Sequence, residues 1–414
     1  MPESPKLMTS KRENWLLFTL AGIQFSHILD FMIMMPLGPQ FTRIFGINDA
    51  QFGLLVSAYT LAGGVSGLVA STFIERFGRK RMLLTLYTFF GLSALACALA
   101  PGYATLMLAR VLAGVFGGVL SSLSQTIVGD VIPFEKRGRA MGIVMSSFSL
   151  ASVAGVPVGL WLAEHFGWHA PFFGIASLCL VLATFAALTM PPLDDHVGQQ
   201  TGTSALGRIK AVLAESNHRR AFAFSASMML AGFTIIPYLA INLQYGIGLR
   251  SDQLPYVYLF GGVASLILAR WFGRMTDRWG KVKSFRLMAT VVVLPMFAVT
   301  LLPFGTPLWA AIAVSTLFMM CMSGRMIPGM AIITSAANPA LRGTFMTLNA
   351  SVQSAAMGCA ALLGGHLIGR TANGQVQDFW QAAAVGAGFS LLTVWLAGKL
   401  DLHTSPVPKT SNAA

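Results

Sequence analysis

The chain has 414 residues, of which 55% are apolar and only 10% are charged. Soluble domains carry about 25% charged residues, so this composition excludes a soluble globular domain and indicates a polytopic membrane protein. The net charge of +13 does not indicate a nucleic-acid partner, because the basic residues lie between long apolar runs.

Uninterrupted apolar windows predict twelve transmembrane helices, each close to the length that a bilayer requires. They cover residues 15–41, 51–74, 81–100, 103–131, 138–164, 168–190, 219–246, 253–274, 283–303, 307–336, 343–368 and 378–399. The first run lacks a small-residue cleavage site, so we expect it to be a retained helix in the lipid bilayer.

One long polar break, from Pro191 to His218, separates six predicted helices from six others. We therefore predict an N-terminal half (1–190), a cytoplasmic linker (191–218), a C-terminal half (219–400) and a cytoplasmic tail (401–414).

The basic residues predict the orientation, because lysines and arginines near span ends are retained on the cytoplasmic side. With the N-terminus inside, the outer loops carry only Arg43, Arg250 and Arg370, and the spans contain Arg110, Arg270 and Arg325. The other basic residues then face the cytoplasm, so both termini are predicted to be cytoplasmic.

Motifs of enzymes and metal sites are absent from the sequence. Cys97, Cys179, Cys321 and Cys359 lie in apolar stretches, without a CxxC pair or a histidine cluster. No P-loop, HExxH pair or Ser/His/Asp grouping occurs. We expect neither an enzyme nor a cofactor. Any energy that the protein uses must then come from a gradient or from the substrate itself.

Two loop motifs repeat between the halves. Glu75-Arg76-Phe77-Gly78-Arg79 follows the second predicted helix, and Asp277-Arg278-Trp279-Gly280-Lys281 follows the eighth, with the two acids 202 residues apart. Arg137-Gly138 and Arg342-Gly343 precede the fifth and eleventh helices, 205 residues apart. Two marks at nearly one offset indicate duplicated halves.

This repeated motif in a six-plus-six protein resembles the major facilitator superfamily of secondary transporters, over essentially the whole chain. Arg110-Val-Leu-Ala-Gly114 in the fourth helix resembles the same family. Gly155-Val-Pro157-Val-Gly159 in the fifth resembles the antiporter signature of bacterial proton-driven drug and sugar exporters, the arabinose-efflux-like branch.

The resemblance implies an all-α major facilitator fold in the bacterial cytoplasmic (inner) membrane. It also implies a monomer that works by alternating access, with a small-molecule substrate and protons as the coupling ion.

The loop motif has a physical interpretation of its own. An acid at the cytoplasmic end of a helix accepts hydrogen bonds from arginines or a helix terminus, so Glu75 and Asp277 are predicted to hold a cytoplasmic gate shut. Gly78 and Gly280 are predicted to allow a sharp turn. The basic members of the motif either join this gate or only enforce topology; they are Arg76, Arg79, Arg278 and Lys281.

Asp30 is the one acidic residue deep in a predicted span, where a charge costs about 3 kcal/mol on insertion scales. Burial disfavours its ionised form and a nearby cation favours it, so alternation between two environments suits a proton carrier. The other interpretation is a permanent structural pair with Arg110. His27 lies three residues before Asp30, on the same helix face, and either relays the proton or hydrogen-bonds the carboxylate.

Arg325 is the candidate for contact with a polar or anionic substrate, because Gly324, Pro328 and Gly329 are predicted to open the helix around it. Alternatively its side chain snorkels or pairs structurally. The uncharged candidates for substrate binding, each of which also suits interhelical hydrogen bonding, are Gln24, Gln125, Asn242, Asn349 and Gln353.

Together these features predict a secondary transporter that exports a drug, sugar or related metabolite in exchange for protons. The rival functions are an uptake symporter or uncoupled facilitator on the same fold, and a membrane receptor or scaffold without transport. Polar and charged groups inside the spans argue against a scaffold, which gains little from their insertion cost.

Overall fold

The computed structural model describes residues 10–70, 72, 77–132, 136–190 and 205–403, and these residues are almost entirely helical. The first eight helices are α1 (Ser10–Ile33), α2 (Gly38–Ile44), α3 (Asp49–Ala70), α4 (Arg79–Ala98), α5 (Tyr103–Val131), α6 (Arg137–Leu150), α7 (Val156–Phe166) and α8 (Ala170–Thr189). We refer to α1–α8 as the N-terminal half.

The remaining helices are α9 (Ala205–Ala214), α10 (Ser216–Phe233), α11 (Leu239–Ile241), α12 (Leu254–Trp279), α13 (Lys281–Val291), α14 (Val293–Thr300), α15 (Leu308–Ala336), α16 (Arg342–Leu367) and α17 (Trp380–Ala397). A small antiparallel hairpin of β1 (Gly369–Arg370) and β2 (Val376–Gln377) joins α16 to α17. We refer to α10–α17 as the C-terminal half.

The predicted spans agree with these helices. Eleven helical stretches within the described residues are long and apolar enough to cross a membrane. The predicted span that is not among these eleven, 343–368, coincides with α16, which has 26 residues and carries the polar side chains of Asn349 and Gln353. Those side chains lower its hydropathy but not its length, so the helix is still long enough to span a bilayer.

Two predicted spans are broken near one end, at corresponding places in the two halves. The span predicted at 15–41 ends as a helix at Ile33, turns at Pro36 and resumes as α2. The span predicted at 219–246 ends as an α-helix at Phe233 and passes through a 3₁₀ turn that contains Pro237. Proline lacks the backbone N–H of a continuing helix, which favours a break at both places.

Successive spans run in opposite directions, so the bundle has two ends. We call the end at Ser10 and Ala397 the terminal end, and the end at Asp49 and Gly369 the distal end. Lys80 at the start of α4 donates to the carbonyl of Met190, just after α8, at 2.5 Å. Tyr103 at the start of α5 donates to the carbonyl of Gln51 in α3 at 3.0 Å. These bonds tie neighbouring spans at the terminal and distal ends, respectively.

The two halves meet where α3 packs along α16 and where α7 packs along α12. Glycines permit close backbone approach here. A Cβ on Gly53 would lie 2.7 Å from the carbonyl oxygen of Ala361, and a Cβ on Gly262 would lie 2.9 Å from that of Ser152. We call this inter-half surface the seam.

Candidate functional site

A buried ion pair lies beside the seam in the N-terminal half. The Nη1 of Arg110, on α5, donates to the Oδ2 of Asp30, on α1, at 2.8 Å, and both side chains are 0% exposed. Glycines on α5 let α3 approach closely, since a Cβ on Gly114 would collide with the backbone of Tyr59. The pairing considered from the sequence is therefore present.

An aromatic bridge, formed by Tyr59, Phe31 and Phe233, leads from this pair across the seam. The guanidinium carbon of Arg110 lies 4.3 Å from the centre of the Tyr59 ring, a cation–π contact. Phe31 stacks on Tyr59 with ring centres 5.6 Å apart, and on Phe233 of α10 with centres 6.0 Å apart. Phe31 directly follows Asp30 in the chain. A shift of the Asp30 backbone would therefore also move a ring that contacts the C-terminal half.

The ion pair leaves polar atoms without protein partners. Asp30 Oδ1, Arg110 Nε, Arg110 Nη2 and Tyr59 OH are buried and make no hydrogen bond with the described residues. Buried polar groups are normally paired, so each unpaired one calls for an explanation such as a functional role or a bound water or ion. Asp30 Oδ1 can therefore accept a proton, and the unpartnered N–H groups of Arg110 can donate to a further polar group.

His27 lies near this site but is not bonded to the carboxylate in the described structure. Its Nδ1 has no hydrogen-bond partner among the described residues, and its ring centre lies 6.1 Å from that of Tyr59. Gly117 makes the space for the ring, since a Cβ there would lie 2.6 Å from His27 Cδ2 and 2.8 Å from the Tyr59 hydroxyl. Of the two predicted roles, the hydrogen bond to Asp30 is not observed, and the relay stays a prediction.

Arg325 is a second buried cation within the spans, and its environment differs from that of Arg110. The prediction that the helix opens around it is wrong for this conformation, because α15 runs unbroken from Leu308 to Ala336 with Pro328 inside it. Its side chain, on α15, is 2% exposed, and its Nη2 donates to the carbonyl of Met228 on α10 at 3.0 Å. Its Nε and Nη1 have no hydrogen-bond partner in the described part of the chain. Snorkelling, one of the predicted alternatives, is excluded in this conformation because the guanidinium is buried.

The uncharged candidates from α1, α5 and α10–α11 are scattered. Gln24 donates to the Ser121 hydroxyl at 3.3 Å, which joins α1 to α5. Gln125 is exposed. Asn242 begins a π turn near the distal end and donates to the carbonyl of Val299 at 3.1 Å. The structure therefore does not bring these three residues together as one site.

The two candidates on α16 face the C-terminal half. Asn349 is 2% exposed, and its Oδ1 has no hydrogen-bond partner among the described residues. Gln353 donates to the Ser225 hydroxyl on α10 at 2.9 Å and contacts the Met330 sulfur on α15 at 3.7 Å. Gln353 thus lies where α10, α15 and α16 meet.

The first copy of the loop motif is only partly described. Glu75 and Arg76 lie outside the described residues. Arg79 is buried, at 4% exposure. Gly78 has φ −58° and ψ 129°, which any residue adopts, so the prediction of a glycine-dependent turn at this position is wrong.

The second copy is described in full. Gly280 has φ 85° between α12 and α13, a conformation that favours glycine, so the prediction of a sharp turn is confirmed here. Asp277 and Arg278 are exposed, and Lys281 donates to the Ser335 hydroxyl at the end of α15 at 2.5 Å. The cation of this copy therefore ties α13 to α15 within the C-terminal half.

The helix-five motif lies at a π turn, Ala151–Gly155, between α6 and α7. Pro157 has no N–H to continue an α-helical ladder, and the wider turn before it accommodates its ring. The side chains of α1 pack directly against Gly155 and Gly159. A Cβ on Gly155 would lie 2.8 Å from Leu29 Cδ1, and a Cβ on Gly159 would lie 2.6 Å from Ile33 Cδ1. The motif thus packs against the helix that carries Asp30.

A polar contact that the sequence did not predict joins the halves at the distal end. Arg370, on β1, donates through Nε and Nη2 to both carboxylate oxygens of Asp49, each at 2.7 Å. Its guanidinium carbon lies 4.7 Å from the centre of the Tyr245 ring, and the Tyr245 hydroxyl donates to the carbonyl of Pro39 at 3.1 Å. We call Asp49, Arg370 and Tyr245 the distal latch.

The bidentate hydrogen bond with Asp49 raises the pKa of Arg370, so its guanidinium stays charged at physiological pH. The sequence gives two weak signals of the latch. Asp49 lies in the first turn of α3, where the helix dipole favours an acid, and Arg370 is one of three basic residues in the predicted outer loops.

Comparison with known proteins identifies the family. The sequence profile described as Major Facilitator Superfamily matches residues 20–358. The chain is 24% identical to the uncharacterized MFS-type transporter YtbD of Bacillus subtilis over 83% of this chain and 85% of that protein. It is 26% identical to the inner membrane transport protein YdhP of Escherichia coli K12, over 63% of this chain and 66% of that protein.

Solved structures show the same fold. A bacterial homologue of the human lysosomal transporter Spinster, inward-facing and occupied, superposes with a TM-score of 0.76 at 15% identity, covering 97% of this chain and 100% of that one. A D-xylose–proton symporter superposes with a TM-score of 0.74 at 16% identity, covering 93% of this chain and 97% of that one. The chain therefore belongs to the major facilitator superfamily, as a multi-pass membrane transporter rather than an enzyme.

Proposed function

We propose that this transporter exports a small organic molecule in exchange for protons, as a member of the arabinose-efflux-like branch. In this proposal it resides in the bacterial inner membrane as a monomer with both termini cytoplasmic, so the distal end faces outward. The observation that carries the proposal is the buried Asp30–Arg110 pair, which the aromatic bridge connects to the other half.

The pair supplies two chemical states. With Asp30 ionised, the pair is satisfied in a low-dielectric environment, where attraction between opposite charges is strong. With Asp30 protonated, that attraction is lost and Arg110 is free to shift relative to Tyr59 and Phe31. Protonation thereby changes the contacts that Phe31 makes with Phe233 across the seam, which is the coupling that exchange requires.

The distal latch supports alternating access. Asp49 belongs to the N-terminal half and Arg370 to the C-terminal half, so the halves cannot separate at the distal end while this ion pair persists. We assign the described conformation to a state closed at the distal end. Export then requires the latch to break, and the acids of the loop motif, Glu75 and Asp277, to close the cytoplasmic end.

The candidate substrate contacts in this proposal are divided between the two halves. The N-terminal half contributes Gln24 and Gln125. The C-terminal half contributes Asn242, Arg325, Asn349 and Gln353. Small residues and methionines around Arg325 leave a deformable apolar wall, which suits varied organic molecules.

The test is proton movement in proteoliposomes, measured with a pH-sensitive dye as candidate drugs and sugars are added. We expect a substrate-evoked proton signal in the wild type and none in Asp30→Asn. Asp252→Asn is the matched control, because Asp252 is an exposed loop carboxylate paired with Arg250. An undiminished signal in Asp30→Asn would refute the assignment of the proton carrier.

The direction of exchange needs a second measurement with imposed pH gradients of either sign. Export in exchange for protons predicts that a gradient directed inward drives substrate outward. Co-transport of proton and substrate would identify an uptake symporter, and substrate movement without a proton signal in either protein would identify a facilitator.

A further inference from the structure

The unpaired guanidinium of Arg325 identifies a class of substrate. An arginine side chain carries five N–H donors and no acceptor. The Nη2 of Arg325 donates to the Met228 carbonyl, whereas its Nε and Nη1 are buried without a hydrogen-bond partner among the described residues. No ion pair joins it to a carboxylate in that part of the chain, in contrast to Arg110, which is paired with Asp30 at 2.8 Å.

A glycine on α10 makes room for the Arg325 guanidinium. A Cβ on Gly232 would lie 2.9 Å from Arg325 Nη2 and 3.6 Å from the Met322 methyl carbon, so glycine is what lets the guanidinium lie against α10. The adjacent residue, Phe233, belongs to the aromatic bridge and stacks on Phe31 of the other half. The guanidinium of Arg325 therefore packs against the residue that directly precedes Phe233 on α10.

The walls beside the guanidinium are apolar and flexible. The methyl group of Met322 lies beside the guanidinium, and the Met228 side chain packs near Gly329, one turn farther along α15. Met330 lies next to Gly329 and contacts Gln353. Thioether side chains adapt to hydrocarbon groups of different shapes. A charged group at one point and deformable apolar walls around it suit an amphipathic molecule with a single anionic head.

We propose that Arg325 binds the carboxylate of an organic anion, and that such anions are the substrates of the exchange. This rests on the proposed function for the transport cycle, but the binding step does not depend on proton coupling. A carboxylate presents two oxygens to the fork of a guanidinium, so it can accept from Nε and the second N–H of Nη2 at once, or from Nη1 and that same N–H.

The charge of the substrate has a consequence for energetics. In a one-for-one exchange, a proton that enters and a monovalent anion that leaves both move positive charge inward. A membrane potential that is negative inside therefore drives the export of an anion more strongly than the export of an uncharged analogue.

The experiment uses matched acid and amide pairs as probes: 4-phenylbutyrate with 4-phenylbutyramide, salicylate with salicylamide, and decanoate with decanamide. Binding to the purified full chain in detergent is measured by tryptophan fluorescence at neutral pH. We expect at least one acid to bind the wild type about tenfold or more tightly than its amide, and Arg325→Gln to abolish this preference without weakening amide binding.

Two further variants keep the result interpretable. Arg325→Lys retains the charge without the fork and should keep part of the preference, which would exclude a general folding defect. Arg270→Gln removes an exposed cation from α12 of the same half and should bind like the wild type. Asp30→Asn should retain the acid preference even though it loses the proton signal, so failure of the coupling and failure of anion binding are distinguished.

The proposal is overturned by any of three results. These are wild-type protein that binds no acid of the panel more tightly than its amide, an Arg325→Gln variant that retains the acid preference, and equal losses for acids and amides. In proteoliposomes with equal pH on both sides, a potassium–valinomycin potential that is negative inside should accelerate acid efflux more than amide efflux; equal acceleration contradicts the proposal.

Discussion

Removal of the distal latch should shift the balance between the two access states. Hydrogen bonds to charged groups contribute about 1.5–3 kcal/mol when buried, and exposed ion pairs about 0–1 kcal/mol. The latch lies between these limits, because the Asp49 side chain is 4% exposed and that of Arg370 is 28% exposed. We therefore expect Arg370→Gln to disfavour the closed distal end by about 1–2 kcal/mol, a factor of about 5–30.

Double electron–electron resonance measures this shift directly. Spin labels on Ile44→Cys in α2 and Gln375→Cys in the hairpin report the separation of the halves at the distal end, since both positions are exposed. Cys359 is also exposed and is replaced by serine beforehand. In Arg370→Gln the population with a long distance should grow at the expense of the short one.

Arg250→Gln is the matched control for this measurement. Arg250 also pairs with an aspartate, Asp252, but both residues belong to the C-terminal half and both are exposed. Its loss should leave the distance distribution unchanged. If Arg370→Gln and Arg250→Gln gave the same distribution, the pair would not hold the halves together and the reasoning would fail.

Two further predictions concern stability. Arg110→Gln leaves Asp30 buried without its cation and should destabilise the protein by about 3–5 kcal/mol, whereas Arg110→Gln with Asp30→Asn should recover most of that loss in thermal unfolding. Gly118→Val places a side chain against the backbone of Gly63 and should lower stability by about 1–3 kcal/mol. Gly142→Ala, in open space on α6, is its control, and an equal effect of both substitutions would contradict the packing argument.

Hydropathy and the loop repeats were sufficient to predict the spans, because a bilayer demands long apolar helices regardless of how they pack. The breaks after Ile33 and Phe233 were not predicted, although Pro36 and Pro237 are visible in the sequence. A proline does not by itself show whether a span kinks or stops, because neighbouring helices decide how the freed backbone groups are satisfied.

The site was predicted only where chemistry limited the choices. A lone acid in a span requires a partner or a use, and Arg110 was the cation at a compatible depth in the N-terminal half, so the pair with Asp30 was one of two interpretations that the sequence left open. Asp49 and Arg370 are 321 residues apart, and each also suits an ordinary exposed loop. Their pairing depends on how the halves dock, which no local pattern encodes. Tyr59 and Phe31 were missed for the same reason.

The glycine contacts of the seam also offer a way to trap a conformation for structure determination. In the described state, a Cβ on Gly365 would lie 2.6 Å from the carbonyl oxygen of Asp49, next to the distal latch. A methyl group at this position acts as a wedge between the halves at the distal end only. This methyl group does not contact Asp30, Arg110 or Arg325. Gly365→Ala would therefore favour the state that is open at the distal end while these three side chains stay unchanged.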